Sequence, residues 1–322
     1  MAGRSAPWVY IDVDTGIDDA LALSLLVLAD SEIAGVGTVS GNVSAKTAAE
    51  NTRNLLALLG AGHVPVAEGA AHPLVSSYTG PLNHVHGENG IGNVHLPTAT
   101  RPIASIDAAD LLIALAHERP DTLDVIAVGP LTNLALALHR DPTITSLVRS
   151  VTVMGGAVAV PGNVSETAEA NFYADPEAAD IVLRAAWEVT VVPLDVTLQH
   201  TFDDADQDGL LTAGNPGVEA VAQMLTHYLD FHELRYGERR CAFHDALAAA
   251  IAIGVVSPAL SAPSNLSVDI STRVTRGSVL VSQGRSLRHR VVHAVEGDPP
   301  RGNILSVLGV RSWSATAEAG AP

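Results

Sequence analysis

Short apolar runs rich in valine and isoleucine alternate along this chain with longer stretches whose apolar residues recur every three to four positions. The first pattern predicts β-strands and the second predicts amphipathic helices. The predicted strands span residues 8–14, 33–40, 64–67, 123–129, 150–155 and 189–195, and the predicted helices span residues 18–29, 44–59, 107–118, 130–139, 175–186, 217–236 and 244–254. Because the strands are mostly apolar on both faces, we expect an α/β fold with a Rossmann-like, mostly parallel central sheet flanked by helices.

The C-terminal part of the chain has a different pattern. Residues 266–272, 277–282 and 287–294 predict short strands, which we expect to form a small antiparallel extension. Since the sequence contains neither an internal repeat nor a linker-like segment, we expect a single domain over residues 1–322.

The charge and the rare residue types restrict the chemistry of the protein. The net charge of −17 argues against nucleic-acid binding through a basic surface. Lys46 is the only lysine, and its setting is unlike a phosphate-binding loop. Cys241 is the only cysteine, which excludes an intrachain disulfide and a zinc–cysteine cluster.

The sequence also bears on the compartment. Residues 1–8 lack the apolar core of a signal peptide, and the apolar stretch 246–256 is short and soon followed by Pro258. This stretch predicts a buried helix rather than a membrane span. We therefore expect a cytoplasmic protein that does not bind a membrane.

Four carboxylates fall within eight residues directly after the first predicted strand. They are Asp12, Asp14, Asp18 and Asp19. The carboxyl end of a strand next to a helix N-terminus is where open α/β sheets bind ligands. Two carboxylates 4 Å apart repel by about 4 kcal/mol at an effective dielectric near 20, so the cluster needs a cation, shared protons or solvent. Oxygen ligands of this kind suit Ca²⁺ or Mg²⁺. Alternatively, Asp18 or Asp19 caps the helix and complements its dipole.

Two long loops interrupt the alternation of strands and helices. Residues 70–100 carry several histidines, and residues 156–174 carry Asn163, Glu169 and Asn171. Asparagine and glutamate together offer donors and acceptors for a hydroxyl-rich ligand. Such loops often bind ligands, but a solvated surface loop would carry the same residues.

Three further polar positions allow both a structural and a functional interpretation. Asn42 follows the second strand, where it either forms a turn or faces a ligand at the sheet edge. His244 and Asp245 open a helix, where Asp245 is an N-cap or a further metal ligand. His232 shares one helix face with Tyr228 and Tyr236, which is either core packing or the wall of a pocket.

Taken in order, these segments resemble the inosine-uridine-preferring nucleoside hydrolase family over nearly the whole chain. The family signature DxDxxxDD matches residues 12–19, and its Gly-Asn after the second strand matches Gly41-Asn42. The remaining matches are His86-Gly87-Glu88-Asn89-Gly90, the Gly-Pro-Leu-Thr-Asn run 129–133, Gly162-Asn163, Ala168-Glu169-Ala170-Asn171, the run 173–178 and His244-Asp245. The resemblance implies a ribonucleoside N-glycosidase that releases ribose and a free nucleobase. It also implies assembly as a homodimer or a homotetramer.

The resemblance further implies roles for individual residues. Asp14, Asp19, Asp245 and the main-chain carbonyl of Val128 are expected to bind Ca²⁺. Asp18 is expected to act as general base on a metal-bound water, with an oxocarbenium-like transition state and His244 as the candidate acid for the leaving base. The residues expected to hold the substrate are Asn42, Asn163, Glu169 and Asn171 around the ribose, Met154 beneath the sugar, and His86 and His244 near the nucleobase or the 5′ side. His232 is also expected to bind the substrate.

The chain departs from the family pattern at several positions. Ala170 stands where an aromatic residue is frequent, which predicts a looser 5′ side, and Val128 replaces a threonine whose carbonyl alone is required. His232 stands where many relatives have tyrosine, and His244 resembles the histidine-type subgroup. His244 favours a broad or pyrimidine-inclusive specificity, whereas His232 leaves the preferred base open.

Two other functions compete with this interpretation. The run Asp12-Val-Asp14-Thr15 also fits a haloacid-dehalogenase-type phosphotransferase, but that family needs a later lysine, and Lys46 comes too early. A Ca²⁺-stabilised nucleoside-binding protein without turnover is the second alternative, against which the presence of Asp18 argues.

Overall fold

The computed structural model describes residues 8–282, 288–297 and 299–310. The strands are β1 (Trp8–Val13), β2 (Glu32–Thr38), β3 (Val66–Glu68), β4 (Leu123–Ala127), β5 (Val148–Met154), β6 (Val189–Val192), β7 (Thr201–Phe202), β8 (Cys241–Ala242), β9 (Ser257–Leu260), β10 (Asn265–Val268), β11 (Val279–Ser282) and β12 (Arg290–Glu296). Residues 1–7, on which the signal-peptide expectation rests, and residue 287, the first of a predicted strand, lie outside the described residues.

The α-helices are α1 (Ile17–Leu28), α2 (Ala45–Leu58), α3 (Asn83–His86), α4 (Ala108–Glu118), α5 (Thr132–Arg140), α6 (Ala170–Ala174), α7 (Pro176–Arg184), α8 (Leu194–Thr197), α9 (Asp204–Leu210), α10 (Pro216–Tyr236), α11 (His244–Ala252) and α12 (Pro300–Val307). A 3₁₀ helix spans Pro142–Ser146. Within the described residues, no helix is both long enough and apolar enough to span a bilayer.

The central sheet has eight strands in the order β3-β2-β1-β4-β5-β6-β12-β9. Its neighbouring strands are parallel from β3 to β12, and β9 runs antiparallel to β12 at the edge. The predicted α/β fold with a mostly parallel sheet is therefore confirmed. The chain order reverses between β1 and β4, which makes the carboxyl ends of these two strands the switch point where such sheets bind ligands.

The first strand shows how the sequence pattern produces the two faces of the sheet. Val9, Ile11 and Val13 join the apolar core that contains α1, α10 and α11, whereas Trp8 and Tyr10 join the core that contains α4, α5 and α7. Successive side chains of a strand point to opposite faces, so a continuous apolar run is buried on both. The buried apolar run ends with β1 at Val13, and Asp14 follows directly at the carboxyl end of the strand.

The C-terminal segments divide between two sheets. β10 and β11 pair as the small antiparallel extension, as predicted. The expectation that segment 287–294 belongs to the same extension is wrong, because β12 pairs with β6 in the central sheet, where Val292 is fully buried. Strand β9 is not apparent from the local pattern, because Pro258 weakens it, although an edge strand tolerates proline.

Candidate functional site

Strands β1, β2, β4 and β5 bring the candidate site residues to one edge of the sheet. Asp14 follows β1, Asn42 follows β2, the carbonyl of Val128 follows β4, and Met154 ends β5. Helix α11 packs against α1, which brings Asp245 beside the acidic residues of the first turn of α1. The site therefore forms at the switch point of the sheet.

Three carboxylates form the centre of the site. Carboxylate oxygens of Asp18, Asp19 and Asp245 all lie within 4.8 Å of one another. Asp19 and Asp245 are buried, with exposed fractions of 0% and 2%, whereas Asp18 is partly exposed. Asp18 is thus the acid of this cluster that solvent reaches most easily.

Main-chain N–H groups orient the carboxylates of Asp14 and Asp19. The N–H groups of Asp14 and Gly16 donate to the carboxylate of Asp19 at 3.1 and 2.7 Å. The main-chain N–H of Asn42 donates to Oδ2 of Asp14 at 2.6 Å, and the side-chain amide of Asn42 donates to Oδ2 of Asp19 at 3.3 Å. Asp19 therefore does cap the start of α1, as the structural interpretation expected, while still facing the cluster.

The position of Asp245 argues against its alternative role as an N-cap. Helix α11 begins at His244, its N-cap position is Phe243, and no side chain caps it. Asp245 lies in the first turn, where it faces the other acids and benefits from the helix dipole.

Burial makes the charged form of these acids unfavourable in the protein alone. Burial, and then the charge of Asp18, raises the pKa of Asp19 to about 7. The pKa values of Asp14 and Asp245 are raised well above normal, first by burial and then by the charges of Asp19 and Asp18 respectively. Burial also raises the pKa of Asp18, although a charge on His244 would oppose this shift.

The residues present fit a hard divalent cation. Oδ1 of Asp14 and Oδ1 of Asp18 are buried, and neither has a hydrogen-bond partner in the described structure. Buried polar atoms without partners are rare, and clustered carboxylates become stable as anions when a cation neutralises them. An all-oxygen donor set of this type suits Ca²⁺ or Mg²⁺.

The loop after β5 supplies a second polar wall. Glu169 is buried, and its carboxylate accepts hydrogen bonds from the N–H groups of Gly156, Asn171 and Phe172 at 2.9, 2.8 and 3.2 Å. Asn171 donates from its side chain to the carbonyls of Val128 and Met154 at 2.8 and 3.2 Å.

Asn163 contributes less directly to this wall. Its Oδ1 accepts from the N–H of Ala170 at 3.0 Å, and its side chain is exposed at the rim of the site. The structure thus brings Val128, Met154, Glu169 and Asn171 together and leaves Asn163 at the edge.

Histidine and tyrosine side chains form a third wall. Nδ1 of His86 accepts from the N–H of Ile17 at 3.2 Å, so a neutral ring carries its proton on Nε2. Burial lowers the pKa of His86 to about 3. Tyr228 stacks on His86 with ring centroids 5.6 Å apart and meets His232 edge-on at 4.8 Å. On the helix face that carries His232, Tyr228 is buried and Tyr236 is exposed.

His244 lies between this wall and the carboxylates. Its Nδ1 is 2.8 Å from the hydroxyl of Thr197, which leaves Nε2 for another partner. Burial lowers the pKa of His244 to about 4, although the negative charge of Asp18 opposes the shift. The imidazole is therefore uncharged at neutral pH, and donating a proton from a cationic form would require a higher pKa.

Sequence reasoning misses several residues that shape the site. Thr197 orients His244, and Asn133 connects Asp12 with neighbouring segments. Asn133 belongs to the Gly-Pro-Leu-Thr-Asn run, so a signal exists for it, whereas a single threonine on a short helix gives none. Tyr78, in the loop after β3, lies near enough to Asp14 for the charge of Asp14 to raise its pKa, and the length of that loop is the only signal for it in the sequence.

The fold and the site define an α/β protein with a cluster of carboxylates at the switch point of a mostly parallel sheet. Residues 9–305 match the model of the inosine-uridine preferring nucleoside hydrolase family. The chain therefore belongs to this family, and it is a nucleoside hydrolase. This confirms the resemblance found in the sequence.

Individual relatives agree over most of their length. Uridine nucleosidase 1 of Arabidopsis thaliana is 37% identical over 281 residues, which are 86% of this chain and 82% of that protein. The inosine-uridine preferring nucleoside hydrolase of Leishmania major is 35% identical over 282 residues, which are 85% and 87% of the two chains. The structure of a purine-preferring ribonucleoside hydrolase from Gardnerella vaginalis superimposes with a TM-score of 0.87 at 30% identity and covers 94% of this chain and 98% of that one.

Proposed function

We propose that this protein hydrolyses the N-glycosidic bond of ribonucleosides in a Ca²⁺-dependent reaction that yields ribose and a free nucleobase. The observation that carries the proposal is the carboxylate cluster of Asp18, Asp19 and Asp245 at the switch point of the sheet. The unpartnered oxygens of Asp14 and Asp18 support a cation at this place.

Asp14, Asp19, Asp245 and the main-chain carbonyl of Val128 would hold the ion. When bound, Ca²⁺ would make a water more acidic and hold hydroxyl groups of the ribose. The carbonyl of Val128 already accepts a hydrogen bond from Asn171, but a carbonyl oxygen has a second lone pair for another partner.

Asp18 would be the general base. It belongs to the same carboxylate cluster, and as a residue it is partly exposed, unlike the buried Asp19 and Asp245. A carboxylate here would take the proton of the attacking water as the bond to the base breaks. The remaining acids would stabilise the positive charge that develops on the ribose.

The other walls of the pocket would position the substrate. Asn42, Asn163, Glu169 and Asn171 would hold the ribose above Met154. Main-chain amides fix the carboxylate of Glu169, so its orientation is set before substrate binds.

The base would lie on the side of His86, His232 and His244. In this arrangement His244 would donate from Nε2 to the departing base, and binding of the base beside Asp18 would have to raise the pKa of the ring. His244 favours a broad or pyrimidine-inclusive specificity. We further propose a cytoplasmic homodimer or homotetramer.

The direct test is release of reducing sugar from inosine, adenosine, uridine and cytidine before and after metal stripping. We expect ribose release that disappears on stripping and returns with Ca²⁺, and the four rates would rank the bases. Folded, Ca²⁺-loaded protein that releases no ribose from any of them would refute the proposed activity. Release of phosphate from phosphate esters would instead favour the phosphotransferase alternative.

The substitution Asp18→Ala separates an enzyme from a binding protein. We expect uridine binding, measured by calorimetry, to persist while the rate falls by roughly 10²- to 10⁴-fold, the usual contribution of a general base. Asp208→Ala is the matched control, because Asp208 is exposed on α9. An unchanged rate for Asp18→Ala would remove Asp18 from this role.

A further inference from the structure

The segment between β3 and α3, residues 69–82, is tied at both ends to the edge of the site. The N–H of Ala70 donates to Asn133 at 2.8 Å, and the N–H of Leu82 donates to the carbonyl of Asn42 at 2.9 Å. Between these anchors, the N–H of Leu74 donates to Asp175 at 2.9 Å. The segment therefore has a defined path beside Asn42.

Tyr78 lies in the middle of this segment, and its hydroxyl is buried although the residue as a whole is half-buried. The N–H of Tyr78 donates to Nδ1 of His72 at 3.2 Å, which helps to fix its backbone. The hydroxyl has no hydrogen-bond partner in the described part of the chain. The hydroxyl oxygen of Tyr78 is therefore a buried polar atom without a hydrogen-bond partner among the described residues.

The hydroxyl lies near enough to the acidic site for the charge of Asp14 to act on it. Burial, and then the charge of Asp14, raises the pKa of Tyr78 to about 12, so the hydroxyl keeps its proton at neutral pH and remains a donor. Oδ1 of Asp14 is also buried without a partner among the described residues. Asp14 is one of the carboxylates proposed to hold Ca²⁺, so the unused donor of Tyr78 lies near the place where the ion would hold hydroxyl groups of the ribose.

The chemistry of the site restricts what can be the partner of the Tyr78 hydroxyl. An apolar group would leave this buried donor unsatisfied. A sugar hydroxyl has two acceptor lone pairs, so it can accept a hydrogen bond from Tyr78 while its other lone pair faces the cation proposed for the carboxylates. Buried polar groups nearly always have partners, and at a binding site the ligand supplies them.

We propose that Tyr78 is a further substrate-binding residue, whose hydroxyl donates a hydrogen bond to a hydroxyl group of the bound ribose. This inference rests on the proposed function, because it assumes that the pocket binds a ribosyl group. The anchored segment 69–82 holds the tyrosine in place, so loss of the hydroxyl affects binding of the sugar rather than the folding of the chain.

The test compares Tyr78→Phe with the wild type, both loaded with Ca²⁺. Calorimetry measures the affinity for free ribose and for 2-, 3- and 5-deoxyribose, and kinetics measures KM and kcat for uridine. We expect Tyr78→Phe to weaken ribose binding about 5- to 10-fold, as for one neutral hydrogen bond, and to raise KM similarly with little change in kcat. One deoxyribose should bind the wild type and the variant equally, which would identify the hydroxyl that Tyr78 contacts.

Tyr173→Phe is the matched control, because Tyr173 is an exposed tyrosine on α6. It should leave ribose affinity and KM unchanged. The melting temperature of ligand-free Tyr78→Phe should equal or exceed that of the wild type, because the change removes a buried hydroxyl that has no partner among the described residues. A lower melting temperature, with equal losses for ribose and all three deoxyriboses, would indicate a structural role and overturn the proposal.

The outcomes also separate this inference from the proposed function. Wild-type protein that hydrolyses uridine while Tyr78→Phe binds ribose equally well would overturn the role of Tyr78 alone. Wild-type protein that neither hydrolyses uridine nor binds ribose would overturn both.

Discussion

Replacing Asn133 by alanine should strongly destabilise the protein. Asn133 is fully buried in the first turn of α5 and connects three segments at the carboxyl edge of the sheet. Its side-chain amide donates to Asp12 and to the carbonyl of Thr38, each at 2.9 Å, and its oxygen accepts from the N–H of Ala70 at 2.8 Å.

The expected magnitude follows from these three partners. Alanine would remove this partner from the buried carbonyl of Thr38 and from the partly buried N–H of Ala70, and it would leave Oδ1 of Asp12 with only the longer hydrogen bond from the hydroxyl of Tyr10 at 3.4 Å. Each unsatisfied buried group costs about 1–3 kcal/mol. Water entering the space would recover part of this loss, so we expect the free energy of unfolding to fall by roughly 3–5 kcal/mol. Asp12 would suffer most, because burial already raises its pKa to about 7 and the amide of Asn133 opposes that rise.

Urea denaturation of the metal-free protein, followed by far-ultraviolet circular dichroism, measures this change through the midpoint at constant slope. Asn54→Ala is the matched control, because the half-buried Asn54 accepts one hydrogen bond, from the N–H of Ala99 at 2.9 Å. We expect it to cost about 1 kcal/mol. A loss for Asn133→Ala no larger than that for Asn54→Ala would refute the reasoning.

Two further predictions concern the acidic site. A Cβ at Gly41 would lie 2.1 Å from Oδ2 of Asp14, so Gly41→Ala should weaken Ca²⁺ affinity by at least tenfold in a calorimetric titration. The control is Gly62→Ala, which should leave the affinity unchanged because the nearest atoms to its Cβ would lie at 3.3 and 3.4 Å. Equal Ca²⁺ affinities for the two variants would contradict the prediction. A raised pKa such as the value of about 7 for Asp19 means that the folded protein holds protons that the unfolded chain releases, so stability of the metal-free protein falls as pH rises from about 4 through 7. The increase in melting temperature on adding Ca²⁺ should therefore be larger at pH 8 than at pH 5, and a smaller increase at pH 8 would count against Ca²⁺ binding by these acids.

The elements that are predicted well from the sequence are those specified by local pattern. Strand β1 and helix α1 follow one another in the chain, and each is predicted from its own apolar pattern within one residue of its observed ends. The ordered motifs likewise identify the family from the residues alone, and the family model confirms it.

The elements that sequence patterns miss depend on partners far along the chain. β12 belongs to the central sheet because β6 lies beside it, and β9 follows because it pairs with β12. Neither pairing is encoded in the local pattern, which specifies that a segment is extended without specifying its neighbour. The prediction of one domain over residues 1–322, the oligomeric state and the compartment remain predictions.

The chemical groups of the site can be read from the amino-acid sequence, because a run such as Asp12 to Asp19 between a buried strand and a helix has few other interpretations. How those groups differ from one another depends on the packing of the folded chain. The packing of α11 against α1 brings Asp245 to Asp19 and leaves Asp18 partly exposed, and the segment after β3 brings Tyr78 towards Asp14. Exposure, pKa and the absence of a hydrogen-bond partner within the described residues arise from contacts between distant segments, and these are properties that local sequence does not encode.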